Sequence, residues 1–210
     1  MTDPNYTALL LIVDRSGSMQ AIRDDMVGGL DNLLAEQATQ PGMLTVDVFT
    51  FDDHIEHTHA FADPATVKVE LDPRGMTALY DAIGVAVNDF GTRLAELPDH
   101  ARPSTVQVVI VTDGEENSSR EYTIAQVKQL INLQSETYDW DFVFLGANQD
   151  ALLTAADLGI APDAAMTYAP EPGGVEAMSS SLSRYTTDLR RQQKRGFTDD
   201  ERRDAGGELE

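Results

Sequence analysis

The chain has 210 residues, 41% of them hydrophobic, a formal net charge of −21 and no cysteine. That length and apolar content suffice for one domain with a full core and an appendage. The charge argues against direct binding to phosphate backbones and favours cations or basic partner surfaces, with plain solubility as the bland alternative, while the missing cysteines exclude disulfides, thiol catalysis and cysteine-based zinc sites.

The chain opens without a basic leader, and its first apolar run, Ala8 to Val13, stops at Asp14. This reads as a strand rather than a signal peptide or membrane span, so a cytoplasmic location with no membrane contact is expected. The run lacks polar alternation, as a strand buried on both faces does. A helix is expected from about Gln20 to Gln37, with Ile22, Met26, Leu30, Leu33 and Leu34 on one face. Gly28 and Gly29 fit that helix only if it packs closely on the sheet.

Leu44 to Phe51 and His54 to Phe61 flank Asp52-Asp53 and read as a hairpin whose second strand is an antiparallel edge. His57 and His59 share a face of that strand. Without a third ligand nearby they read as polar protection of an edge. Thr77 is expected to open a helix to about Leu97, with Leu79, Ile83, Val87 and Phe90 in step. Val106 to Val111 is a second apolar run without alternation. Thr123-x-x-Gln126 is a capping box for the next helix. A strand from Asp141 to Gly146 and a helix from Ala151 to Leu158 follow.

Pro162, Pro170, Pro172, Gly173 and Gly174 then mark a connector, with a short edge strand around Met166 to Tyr168. Residues 1–168 read as the main domain, and 169–210 as an amphipathic helix and acidic tail docked on it. Val175, Met178, Leu182, Tyr185 and Leu189 form the helix seam. Arg190, Arg191, Lys194 and Arg195 suit the negative end of its dipole, and Gly196 is placed as its C-cap. Thr198-x-x-Glu201 starts one more short helix. This order argues for an α/β fold: an open, Rossmann-like, mostly parallel sheet with one antiparallel edge strand and helices on both faces.

Ligands of such sheets bind beyond the carboxyl ends of strands, where the strand order reverses. Asp14 and Asp113 both fall just past strand ends. Asp14-x-Ser16-x-Ser18, Gly75-Met76-Thr77 and Thr112-Asp113-Gly114 together offer two carboxylates and three candidate hydroxyl ligands. Hard oxygen ligands of this kind suit Mg2+, with Mn2+ or Ca2+ also accepted. In extended backbone Ser16 and Ser18 share a face, with Asp14 one step behind. Gly114, Glu115, Asn117 and Asn148 are placed on the rim. Glu115 and Glu116 read as a solvated loop that Asn117 or Ser118 ties down.

The three motifs, in this order, resemble the metal-ion-dependent adhesion site of von Willebrand factor A (vWA) domains, over about Tyr6 to Leu158. Residues 77–84, 113–122 and 142–148 look like the stand-alone cytosolic vWA proteins of bacteria and their phages. The resemblance implies that Ser16, Ser18 and Thr77 contact the metal, and that Asp14 and Asp113 act directly or through water. It implies a non-enzymatic adaptor whose ion captures a Glu or Asp of a protein partner, with relatives working beside AAA-type ATPases or stress-resistance complexes. One alternative is a magnesium-dependent phosphoryl-transfer or hydrolase enzyme. Against it, the chain has neither a Gly-x-x-x-x-Gly-Lys phosphate loop nor a Gly-x-Ser-x-Gly elbow. Another is a structural subunit that acts through its C-terminal helix.

Overall fold

A computed structural model describes residues 2–147 and 151–206. The strands are β1 (Asp3–Asp14), β2 (Met43–Phe51), β3 (Ile55–Ala62), β4 (Pro103–Thr112), β5 (Asp141–Ala147) and β6 (Ala165–Tyr168). The helices are α1 (Arg23–Ala38), α2 (Leu79–Glu96), α3 (Ile124–Tyr138), α4 (Ala151–Leu158), α5 (Pro172–Arg190) and α6 (Asp199–Asp204).

The strands form a single six-stranded sheet in the order β3-β2-β1-β4-β5-β6. Every neighbouring pair is parallel except β2 and β3, the hairpin at the edge. All of β1 from Tyr6 to Asp14 is buried, so both faces of the central strand are covered. That is why its apolar run shows no alternation. α1 packs on α5, and α2 packs on α3, which also touches α4. The strand order reverses between β1 and β4, which puts the ligand crevice of the fold beyond their carboxyl ends.

Several local expectations change in three dimensions. The first helix does not run from Gln20. A 3-10 turn, Gly17–Ala21, comes first, closed by Met19 N–H donating to the Ser16 carbonyl at 3.1 Å, and α1 starts at Arg23. Thr77 does not open α2, which begins two residues later with no side-chain cap. The close approach that needs Gly29 is to α5 rather than to the sheet: a methyl group there would sit 2.2 Å from Ser179 Oγ. Gly196 does not cap α5, because Arg191 holds that position and the neighbouring Gln192 takes the left-handed backbone, φ 56°.

The basic run that ends α5 and follows it makes specific bonds that the helix dipole does not require. Arg190 donates to the carbonyls of Gln37, Pro41 and Gly42, and Lys194 pairs with Asp141 at 2.7 Å. At the edge, His57 stacks on Phe49 and lies 3.0 Å from the buried Asp47. The capping boxes at Thr123 and Thr198 both form. Among the described residues no helix is long and apolar enough to cross a membrane.

Candidate metal centre

β1 and β4 run in register, Val13 beside Val111, which sets Asp14 level with Thr112 and Asp113 one residue further on, both at the crevice. Asp14 is fully buried. Its Oδ1 accepts the Ser16 N–H at 2.6 Å and its Oδ2 accepts the Thr112 hydroxyl at 2.6 Å. The Ser16 and Ser18 hydroxyls lie 3.1 Å apart, and Ser18 donates to Asp113 Oδ1 at 2.6 Å. Strand alternation carries Asp14 and Ser16, whereas Ser18 reaches the cluster from the 3-10 turn Gly17–Ala21 rather than from extended backbone, and the three close into a linked oxygen cluster. Thr77 joins it from the loop before α2. A methyl group at Gly114 would lie 3.3 Å from Thr77 Oγ1 and 3.6 Å from Ser18 Oγ, so both hydroxyls border the space this glycine leaves open.

Burial pushes the Asp14 carboxyl up from 3.8 to about 6, against the opposing hydrogen bonds from Thr112 and Ser16 and with a further push from Asp113. Burial also raises Asp113, opposed by the Ser18 hydroxyl. Below them Tyr168 donates to the Thr112 carbonyl at 3.3 Å, and burial beside both carboxylates holds its phenol well above the usual range. Among the described residues neither Asp14 nor Asp113 forms an ion pair with a basic side chain. Two such carboxylates, three hydroxyls and a glycine-kept space fit a divalent ion with oxygen ligands.

Thr77 is clamped by the loop that carries Asp113. Its N–H donates to Asn117 Oδ1 at 2.9 Å, and its carbonyl accepts the Asn117 N–H at 3.0 Å. Glu116 is not a solvated residue: its carboxylate accepts the Tyr80, Ser118 and Ser119 N–H groups and the Ser119 hydroxyl. Asp81 accepts the N–H groups of Arg120, Glu121 and Tyr122 at 2.7, 2.9 and 2.7 Å. The loop after Asp113 is therefore stapled to the first turn of α2. Glu115 is exposed, as a rim residue should be, and Gly114 lies half-buried beside the hydroxyls. Asn148 lies outside the described residues.

Sequence reasoning assigned no role to Thr112, Asp81 or Arg15, and read Asp52 as a turn residue only. Asp52 does sit in the β2–β3 turn, but its side chain is fully buried against Arg15 and Arg74. The readable signal was parity: Arg15 falls between two site residues and must point away from the ion, into the protein. Asp52, Asp53 and His54 bring ligand-type atoms within 4.8 Å of one another. The Asp52 charge is already matched by the two guanidiniums, unlike that of Asp14.

No protein-family model and no curated protein matches the chain. Solved structures do. Proximal thread matrix protein 1 from the mussel byssus matches at 16% identity and TM-score 0.62, over 89% of this chain and 48% of that one. A further structure of that protein, with a zinc-occupied MIDAS motif, matches at 16% identity and TM-score 0.59, over 90% and 46%. The vWF domain of the type V pili tip protein Mfa5 from Porphyromonas gingivalis matches at 10% identity and TM-score 0.64, over 92% and 98%. The chain spans about half the length of the mussel protein and nearly all of the pilus domain. Identities this low carry the architecture and nothing finer. The six-stranded sheet with its one antiparallel edge pair is the fold of a von Willebrand factor A domain.

Proposed function

We propose that this chain is a metal-dependent protein-binding module. Ser16, Ser18 and Thr77 hold a Mg2+-class ion, Asp14 and Asp113 supply its negative charge directly or through water, and a remaining position takes a Glu or Asp of a partner. The observation that carries this reading is the pair of buried carboxylates, unmatched by any basic side chain among the described residues, joined to serine hydroxyls where the strand order reverses. An ion held mainly by neutral hydroxyls keeps much of its charge and gains most from one more anionic oxygen. Among the resembled structures, one form of the byssus matrix protein holds zinc in its MIDAS motif, which supports a metal at the equivalent place in this fold.

Exposed Glu115 and half-exposed Asp53 lie near the centre, on a chain of net charge −21. The partner's carboxylate therefore sits in basic surroundings, and binding weakens as salt rises. By fold-level analogy an AAA-type ATPase or a stress-resistance complex is the class of partner proposed.

The test is capture on the immobilised chain, with Mg2+ or with chelator, comparing wild type with Ser16→Ala/Ser18→Ala. A partner held only by wild type with Mg2+ supports the reading. One held under every condition overturns it and moves binding to another surface.

A further inference from the structure

We propose that Arg15 is the positioning residue of the metal centre: acting through Asp52 and Arg74, it sets the Thr77 loop against the loop that carries Ser16 and Ser18. The inference rests on the metal-binding reading above and extends it to residues that touch no ion.

Arg15 is 4% exposed and Asp52 is 0% exposed. Arg15 Nε donates to Asp52 Oδ2 at 3.1 Å, Nη1 to Thr50 Oγ1 at 3.3 Å and Nη2 to Glu56 Oε1 at 2.8 Å. Arg74 repeats the pattern from the other side, with Nε to Asp52 Oδ2 at 3.0 Å and Nη2 to Glu56 Oε1 at 3.1 Å. Two guanidiniums thus share two carboxylates. One guanidinium belongs to the serine loop and the other to the threonine loop.

The backbone follows the same lines. The Arg15 carbonyl accepts the Arg74 N–H at 2.9 Å, the Asp52 carbonyl accepts the Ala78 N–H at 3.1 Å, and the Gly75 carbonyl accepts the Gly17 N–H at 3.4 Å. Asp53 Oδ1 accepts the Met76 N–H at 3.3 Å. Thr77 lies between Arg74 and Ala78, so both of its flanks are tied to the Arg15–Asp52 pair. A β-hairpin turn needs none of this. Of the four charges only Arg15 and Asp52 are buried, and a buried ion pair is a poor way to gain stability alone, because the desolvation of its charges offsets much of their attraction. What it supplies is fixed geometry between two loops.

Mg2+ demands near-octahedral oxygens at short distances, whereas Ca2+ accepts a looser and larger cage. Loosening the loops should therefore cost Mg2+ more than Ca2+. A purely structural role would lower the melting temperature and leave the affinities of the folded protein alone.

The experiment is calorimetric titration of Mg2+ and Ca2+ into wild type, Arg15→Lys, Arg15→Met, Arg74→Met and the Arg15→Met/Arg74→Met double variant. Amide hydrogen exchange at Met76, Thr77 and Ala78 is read in chelator alongside. Arg74 is half exposed, so its variant keeps the test open if Arg15→Met does not fold. We expect Mg2+ affinity to fall about tenfold or more in either methionine variant, as for residues that orient metal ligands. Ca2+ affinity falls less, the double variant is no worse than the weaker single, and exchange at the three amides speeds up. Arg15→Lys, which keeps the charge but not the fork, recovers only part of the Mg2+ affinity.

Methionine variants with a lowered melting temperature but wild-type affinities and exchange would overturn the inference. A wild type that binds neither ion would instead overturn the metal reading, and this proposal with it.

Discussion

Asp14 and Asp52 are both fully buried carboxylates at the ends of neighbouring parallel strands, and they are neutralised in opposite ways. Asp52 is met by two guanidiniums, those of Arg15 and Arg74. Asp14 is met by a hydroxyl and a backbone amide, with Asp113 adding like charge. A buried carboxylate can lower its charging cost with a basic side chain, with a proton or with a metal. The first choice makes a permanent tie. The second and third leave a position that answers to what is bound, and the molecule places the two kinds side by side.

Removing the tie should give the largest effect. Asp52→Ala leaves Arg15 buried with only the half-exposed Glu56 as its carboxylate, and loss of one partner of a buried pair costs about 4 kcal/mol. Denaturant unfolding should show that loss with Mg2+ and with chelator alike. A cost below about 1 kcal/mol, the range of exposed pairs, would mean that the pair is dispensable and the comparison fails.

Asp14→Asn should act in the other direction. The asparagine oxygen can still accept the Ser16 N–H, and its amide can donate to the Thr112 hydroxyl, so the shape is kept. In the metal-free protein the Asp14 carboxyl is raised from 3.8 to about 6, so the folded state holds its proton longer than the unfolded chain does. The stability this contributes is complete below pH 4 and is lost as pH rises through about 6. At pH 7 the charged, buried group costs up to about 3 kcal/mol, which asparagine relieves. In chelator, Asp14→Asn should therefore melt higher than wild type at pH 7 and match it near pH 4. With Mg2+ the order reverses, because only wild type gains from the ion, and that gain fades as pH drops below 6. Equal melting curves at pH 7 in chelator would show that Asp14 carries no such cost.

How much of this was readable follows from the physics of each position. Ala8 to Val13 and Val106 to Val111 are apolar without alternation, and only strands covered on both faces need that, so the sheet centre and its two carboxylates were legible together. The edge hairpin was legible from Asp52-Asp53 between two strand patterns. The burial of Asp52 was not, because a polar turn residue looks the same in sequence whether it faces water or two arginines. Glu116 was misread for the same reason: a carboxylate that accepts backbone N–H groups carries no local pattern. The partner of Gly29 was hidden too. A glycine says that something comes close, and Ser179 on a helix far along the chain is what does.

The smallest predicted effect tests the seam between the two carboxylates. Gly75 takes a left-handed backbone, φ 67°, and its carbonyl accepts the Gly17 N–H at 3.4 Å from the serine loop. A methyl group there would sit 2.0 Å from Asp53 Oδ1 and 3.3 Å from Asp52 Cβ. Asp53 is half exposed and can swing aside, so the steric clash is relieved cheaply. The left-handed backbone is not, and for alanine it costs about 1–2 kcal/mol. If the loops form one rigid frame, Gly75→Ala spreads that strain to both sides. Unfolding stability then falls by about 1 kcal/mol, and Mg2+ affinity falls by about fivefold, which is a similar free energy. If the loops are independent, the whole cost shows in stability and Mg2+ titration is unchanged. Measuring both quantities on the one variant decides whether the tie at Asp52 reaches the ion at Asp14.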